Sequence, residues 1–156
     1  MEPIQIYHLA PVSRSTRVTW LLAELDPKIQ KQFEIKTYDI KKPQEFRNSD
    51  EFQKISPLRR FPALVDGKFI LTEGIAINNY ILRTKAPESS LLPKELKDLA
   101  IYESVNTFMV AHVDGLVAQG LRERFLLPKD QRTSKAQKRF YIWLGSVTEP
   151  IFQLVC

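Results

Sequence analysis

The stretch Phe61-Pro62-Ala63-Leu64-Val65-Asp66-Gly67-Lys68-Phe69-Ile70-Leu71 constrains the fold more than any other part of the chain. Two apolar runs flank Asp66-Gly67, a dipeptide that supplies the positive φ of a two-residue turn, so a β-hairpin is expected. Pro62 stands at the start of the first run, where its missing N–H would break a central ladder; it therefore marks a turn or a cis bond. Upstream, Ile4 and Ile6 alternate with Gln5 and Tyr7 as in a half-buried strand. Val18, Leu21, Leu22 and Leu25 follow helical spacing, with Ser13 or Ser15 as N-cap, and the helix stops before Pro27. Phe33, Ile35 and Thr37 alternate with Glu34, Lys36 and Tyr38, which predicts a second strand over 33–40. A strand–helix–strand unit normally makes its strands parallel.

Residues 43–54 are polar with Phe46 and Phe52 as their few anchors, which predicts a short, loosely packed surface helix. After Thr72-Glu73, the residues Ile75, Ala76, Ile77, Ile81 and Leu82 predict a helix ending near Lys85. The order is βαβ-α-ββ-α, an α/β domain over 1–85. Prolines and serines make 86–93 a linker. The remainder, 94–156, lacks strand alternation: one long helix is expected over 94–126, with Gly115 and Gly120 as weak points, then a basic loop and a final helix holding Phe140, Trp143, Leu144 and Val147.

Composition narrows the function classes. With 44% hydrophobic and 26% charged residues, the chain is neither disordered nor collagenous. No apolar run reaches the roughly 18 residues of a membrane-spanning helix, and no signal segment is visible, so a cytoplasmic protein that does not bind membranes is expected. The single cysteine, Cys156, excludes an internal disulfide, a Cys-x-x-Cys pair and a thiolate zinc site. His8 and His112 are too far apart for a helical metal pair, and no metal site is expected. The net charge of +5 raises the prior for an anionic partner. That charge is spread evenly along the chain, which argues against nucleic acid, and the run Lys129 to Arg139 reads as a solvated loop.

Three motifs carry a family resemblance. Tyr7-His8-Leu9 with Ser13-Arg14-Ser15-x-Arg17-Val18 and Trp20-Leu21-Leu22-x-Glu24-Leu25 resembles the first strand and helix of serine-type cytosolic glutathione transferases. Ser56-Pro57-Leu58 with Phe61-Pro62-Ala63-Leu64-Val65-Asp66-Gly67 resembles their cis-proline segment and hairpin, and Leu71-Thr72-Glu73-Gly74-x-Ala76-Ile77 the start of their glutathione-binding helix. The resemblance covers most of residues 4–85 and implies a thioredoxin-like N-terminal domain followed by a partial all-α domain.

It also implies a chemistry and its residues. A thiol of pKa about 8.5 is mostly protonated at neutral pH, and a hydrogen bond to the thiolate lowers that value; a shift of about two units corresponds to about 2.7 kcal/mol. Ser13 occupies the catalytic position, with Ser15 and Tyr7 as competitors. The backbone of Phe61, before a cis Pro62, would pair with the cysteinyl part of glutathione, and Glu73 would hold the γ-glutamyl ammonium. Gly74 stands where the family usually has serine; a hydrogen bond to a charged group lost there is worth roughly 1.5–3 kcal/mol, while the backbone donor remains. Arg60 is the preferred anion partner among Arg60, Arg14 and the Lys41-Lys42 pair; Arg59 occupies a common glycine position, and Arg17 serves a structural ion pair. Glutathione is the co-substrate and no cofactor is implied. A hydrophobic electrophile would sit near Phe108, Met109 and His112, and a homodimer is expected. The alternative, favoured by Gly74, is a non-catalytic dimerisation or scaffolding module. Complete family members carry more helices than this chain, and the apolar residues 151–156 predict either a truncated form or a face hidden in a subunit contact.

Overall fold

Strand β1 (Ile4–Ala10) lies at the centre of the N-terminal unit, and its place explains burial that simple alternation does not. The structure is a computed structural model that describes residues 2–11, 13–121 and 128–131. The sheet order is β2-β1-β3-β4, with β2 (Phe33–Asp39), β3 (Ala63–Asp66) and β4 (Phe69–Thr72). β1 runs parallel to β2 from Ile4↔Phe33 to Ala10↔Asp39 and antiparallel to β3 from Gln5↔Val65 to Tyr7↔Ala63. With neighbours on both edges and helices on both faces, β1 buries Ile4 and Ile6 on one side and Tyr7 on the other.

The first side is covered by α1 (Thr16–Glu24) and α5 (Gly74–Lys85). Val18, Leu22 and Leu25 pack with Ile77, Ile81 and Leu82 over Ile4, Ile6 and Leu64. Leu64, Ile77, Ile81 and Val18 are fully buried, and each such side chain contributes roughly 1.5–3 kcal/mol of burial free energy. The second side corrects an expectation. Residues 43–54 form two short helices, α3 (Gln44–Arg47) and α4 (Asp50–Ile55), and Ser49 caps α4 by accepting the Phe52 N–H at 3.0 Å. The segment is not loosely packed: Phe46 and Phe52 are buried with Tyr7, Ile55 and Ala63 in a second core. Another short helix, α2 (Pro27–Gln30), starts where the sequence only signals a stop, with Asp26 accepting the Lys28 N–H at 2.7 Å and Pro27 in the first turn.

The hairpin turn sits one residue later than expected. Asp66 pairs with Phe69, so the loop is Gly67-Lys68, and Gly67 takes φ +60°. Asp66 is held in the strand by Tyr80, whose hydroxyl donates to Oδ2 at 2.8 Å, and by Lys85 Nζ at 3.0 Å. Beyond α5, the segment expected as a linker contributes buried Ala86 and half-buried Leu92 to the first core. The chain divides into units Met1–Lys94 and Glu95–Cys156.

The described part of the second unit is helical. α6 (Leu96–Phe108) passes through a π-helical turn, Met109–Asp114, into α7 (Gly115–Leu121). Gly115 thus follows a change of helical pitch rather than a break. Residues 129–131 form one 3₁₀ turn. The rest of the long helix, most of the basic loop, the final helix and the apolar residues 151–156 lie outside the described residues.

Candidate active site

The β1–β3 ladder ends at Tyr7↔Ala63, and the next positions outward, Leu9 and Phe61, line a cavity of about 490 Å³. Ser13, Arg14, Ile40, Pro43, Phe46, Arg59 and Arg60 complete its wall. Local chemistry places each of these. The Ile40 N–H donates to the Ala10 carbonyl at 3.0 Å, which brings the end of β2 over the end of β1. Ser56, buried, accepts the Arg60 N–H at 3.0 Å and donates to the Arg60 carbonyl at 2.9 Å. This pair of hydrogen bonds closes residues 56–60 into a tight loop and presents Arg60 and Phe61 to the cavity.

Arg59 has φ +51°, a backbone region where a Cβ is strained, which accounts for the glycine common at this position in the family it resembles. Its Nη2 donates to Gln53 Oε1 at 2.5 Å, while its Nε is buried without a hydrogen-bond partner. Phe61 precedes Pro62 through a cis bond, as the resemblance implies; Ala10-Pro11 is a second cis bond. The Phe61 ring stacks on Phe52 at 4.6 Å and meets Phe46 edge-on at 5.1 Å. The aromatic second core therefore serves as the floor of the cavity.

The three thiol-activating candidates have different places. Tyr7 is buried in the second core, and its hydroxyl donates to Gln5 Oε1 at 3.1 Å; it does not line the cavity. Ser15 is fully buried and its Oγ accepts the Leu9 N–H at 3.0 Å, so it ties α1 to β1. Ser13 is half-buried and lines the cavity, with its Oγ 2.5 Å from Ser15 Oγ and accepting the Ser15 N–H at 3.2 Å. Ser15 occupies the N-cap position but makes no side-chain cap bond, because its backbone is already helical and its hydroxyl points back to β1. Ser15 Oγ also lies 2.8 Å from His8 Nδ1. Burial pulls the His8 imidazole below its ordinary range and so favours its neutral form.

Glu73 and Gly74 start α5, as read from the sequence. Glu73 is exposed and has φ +72°, a conformation costing of order 1–3 kcal/mol that points to a functional constraint. Neither residue lines the cavity. Gly74 lies against the cis proline and α1: a Cβ there would stand 2.9 Å from Arg17 Cδ and 3.6 Å from Pro62 Cγ. The Arg17 stem thus occupies the space a serine side chain would need. Lys41 and Lys42 are not on the cavity wall, and Lys42 pairs instead with Glu45 at 3.4 Å. The resemblance favours Arg60 as anion partner, yet three arginines, Arg14, Arg59 and Arg60, line one cavity. Among the described residues, no group of His, Cys, Asp or Glu could hold a metal, and no helix is long and apolar enough to cross a membrane.

A mixed four-stranded sheet with helices on both faces and a cis proline before β3 defines a thioredoxin-like domain with a basic, serine-bearing cleft at the end of its central strand. The family model for the glutathione S-transferase N-terminal domain matches residues 2–83, and the chain belongs to that family. It is 34% identical over 93 residues to glutathione S-transferase theta-1 of Bos taurus, covering 60% of this chain and 37% of that one. It is 32% identical over 75 residues to a glutathione S-transferase of Triticum aestivum, covering 48% and 35%. The matched stretch thus spans about a third of these curated relatives. Among solved structures, poplar glutathione transferase F1 superposes with a TM-score of 0.79 at 21% identity, covering 97% of this chain and 68% of that one. A theta-class enzyme of Xanthomonas axonopodis pv. citri, solved with glutathione bound, superposes at 0.76 with 16% identity, covering 94% and 67%. At those identities the superpositions establish the fold.

Proposed function

We propose that the chain binds glutathione in the Ser13 cavity and conjugates its thiolate to a hydrophobic electrophile. The observation that carries this reading is that Ser13 lines a cavity together with Arg14, Arg59, Arg60 and Phe61. Ser13 donates to the thiolate and lowers its pKa, and the positive end of α1 adds a smaller stabilisation. Glutathione carries two carboxylates and one ammonium. Arg60 and its neighbours Arg14 and Arg59 attract the carboxylates, Glu73 the ammonium, and the Phe61 backbone beside cis Pro62 the cysteinyl amide. The γ-glutamyl carboxylate takes the Gly74 N–H at the start of α5 without help from a hydroxyl. The protein's contribution is orientation and thiolate stabilisation; the electrophile brings the reactive carbon. Homodimerisation and a cytoplasmic location belong to the same reading, supported by the family.

A second reading, a glutathione-transferase-like module without catalysis, is favoured by Gly74, where one hydrogen bond to a charged ligand is missing. Retention on immobilised glutathione, followed by conjugation of a chromogenic electrophile, separates the two. Retention that survives Ser13→Ala while conjugation falls supports the enzyme. Retention without conjugation by the unaltered chain supports the module, and failure of retention refutes glutathione binding.

A further inference from the structure

Behind Ser13 runs a hydrogen-bond chain whose protons can be counted. Ser13 Oγ lies 2.5 Å from Ser15 Oγ, and Ser15 Oγ lies 2.8 Å from His8 Nδ1. Two backbone donors enter from the side: Leu9 N–H reaches Ser15 Oγ at 3.0 Å and Ser15 N–H reaches Ser13 Oγ at 3.2 Å. Each hydroxyl has one proton and two lone pairs, and a neutral imidazole carries its proton on one nitrogen only.

A thiolate only accepts, so a Ser13 that stabilises it spends its single proton on the sulfur. The Ser13–Ser15 contact then needs a proton from Ser15. With that proton committed, Ser15 has none for His8, and the 2.8 Å contact requires that Nδ1 be the donor. Every lone pair is filled in this arrangement: Ser15 accepts from His8 and Leu9, and Ser13 accepts twice from Ser15. In the opposite direction, with Nδ1 bare, Ser15 donates to His8 and Ser13 donates to Ser15. Ser13 would then offer a bound sulfur only a lone pair.

We propose that His8, as the Nδ1–H tautomer, and Ser15 are positioning residues that turn the Ser13 hydroxyl outward onto the glutathione thiolate. This rests on the proposed role of Ser13. No proton leaves the protein and no bond to carbon changes; the chain sets only which way three hydrogen bonds run. Protonation of His8 to imidazolium keeps Nδ1–H and leaves the direction unchanged.

The test is ring-nitrogen NMR of the wild-type protein saturated with glutathione. Only two histidines, His8 and His112, contribute, and His112→Gln assigns them. A protonated Nδ1 on His8 in the complex is expected; a bare Nδ1 overturns the proposal. Variants supply a second readout, the pKa of the bound thiol from its thiolate absorbance. His8→Asn, whose amide can donate to Ser15, is expected to keep it within about threefold of wild type in thiolate fraction, and His8→Leu to lower that fraction about tenfold, in the range of one lost charge-assisted hydrogen bond. An unchanged thiol pKa in His8→Leu also overturns the proposal. Binding with a bare Nδ1 refutes the direction of the chain alone, whereas absence of binding by the wild type refutes the proposed function with it.

Discussion

Replacing the two serines of the α1 entrance separately distinguishes the structural hydroxyl from the one proposed to be catalytic. Ser15 is fully buried, and its Oγ is the acceptor for the Leu9 N–H and the neighbour of His8 Nδ1 and Ser13 Oγ. Ser15→Ala leaves those groups without their partner. An unsatisfied buried donor costs about 1–3 kcal/mol, and because Leu9 and His8 are only half-buried, water relieves part of it. The expected loss is about 2 kcal/mol, which at a urea m-value of roughly 2 kcal/mol/M moves the midpoint down by about 1 M. Ser13→Ala loses the contacts of a half-buried hydroxyl with the Ser15 N–H at 3.2 Å and Ser15 Oγ at 2.5 Å but leaves the Ser15 bonds to Leu9 and His8 in place, so its stability cost is about 1 kcal/mol, below that of Ser15→Ala. Its effect falls on the ligand: the bound thiol pKa rises by about one to two units, leaving roughly 10–100-fold less thiolate at neutral pH. Urea unfolding by circular dichroism and titration of the thiolate absorbance measure the two quantities. If Ser13→Ala unfolds as easily as Ser15→Ala while the thiol pKa stays put, Ser13 is a structural residue and the reasoning fails.

Four further outcomes are expected. Phe52→Ala removes a buried ring stacked on Phe61 at 4.6 Å, which should cost about 3–5 kcal/mol and weaken glutathione binding, read by unfolding and calorimetry. Gly74→Ala pushes into the Arg17 stem, so its cost should shrink by about 1 kcal/mol in an Arg17→Ala background; a double-mutant cycle with no coupling would contradict the contact. Hydrogen bonds from Tyr80 and Lys85 hold the Asp66 carboxyl below its ordinary range. Its stabilisation is therefore full above the unfolded pKa of about 3.9 and is lost as pH falls through the lower folded value, so Asp66→Asn should flatten that acid limb of the stability–pH curve. Arg60→Gln should weaken glutathione binding about tenfold with little change in unfolding midpoint, since the backbone of Arg60, not its side chain, is what Ser56 holds.

The parts legible in the sequence are those whose signal is local. The β1–α1–β2 period, the positive-φ glycine of the hairpin and the apolar face of α5 each follow from neighbours within a few residues. Pro62 reads as a turn or a cis bond because a proline cannot serve a central ladder, and the family resemblance implies the cis form that is found. Phe46 and Phe52 look like loose anchors in the sequence because nothing within residues 43–54 reveals that Tyr7, Ala63 and Phe61, distant in the chain, converge on them. The turn sits one residue later because Asp66 stays in β3, where Tyr80 and Lys85 of α5, distant in the chain, hold its carboxylate. Ser13 and Ser15 were equivalent caps until the end of β1 supplied an acceptor and a donor for one of them. The sequence marks Arg59 only as a common glycine position; that it lines the same cavity as Arg60 depends on the loop that Ser56 closes.

On the proposed function, the Ser13 cavity holds glutathione as a thiolate. Titration of glutathione bound to the unaltered chain, following thiolate absorbance against pH, tests it most directly. A bound thiol pKa about one to two units below the ordinary value of about 8.5, restored toward that value by Ser13→Ala, is the predicted result. Saturable binding with an unshifted thiol, or no binding at all, would contradict it.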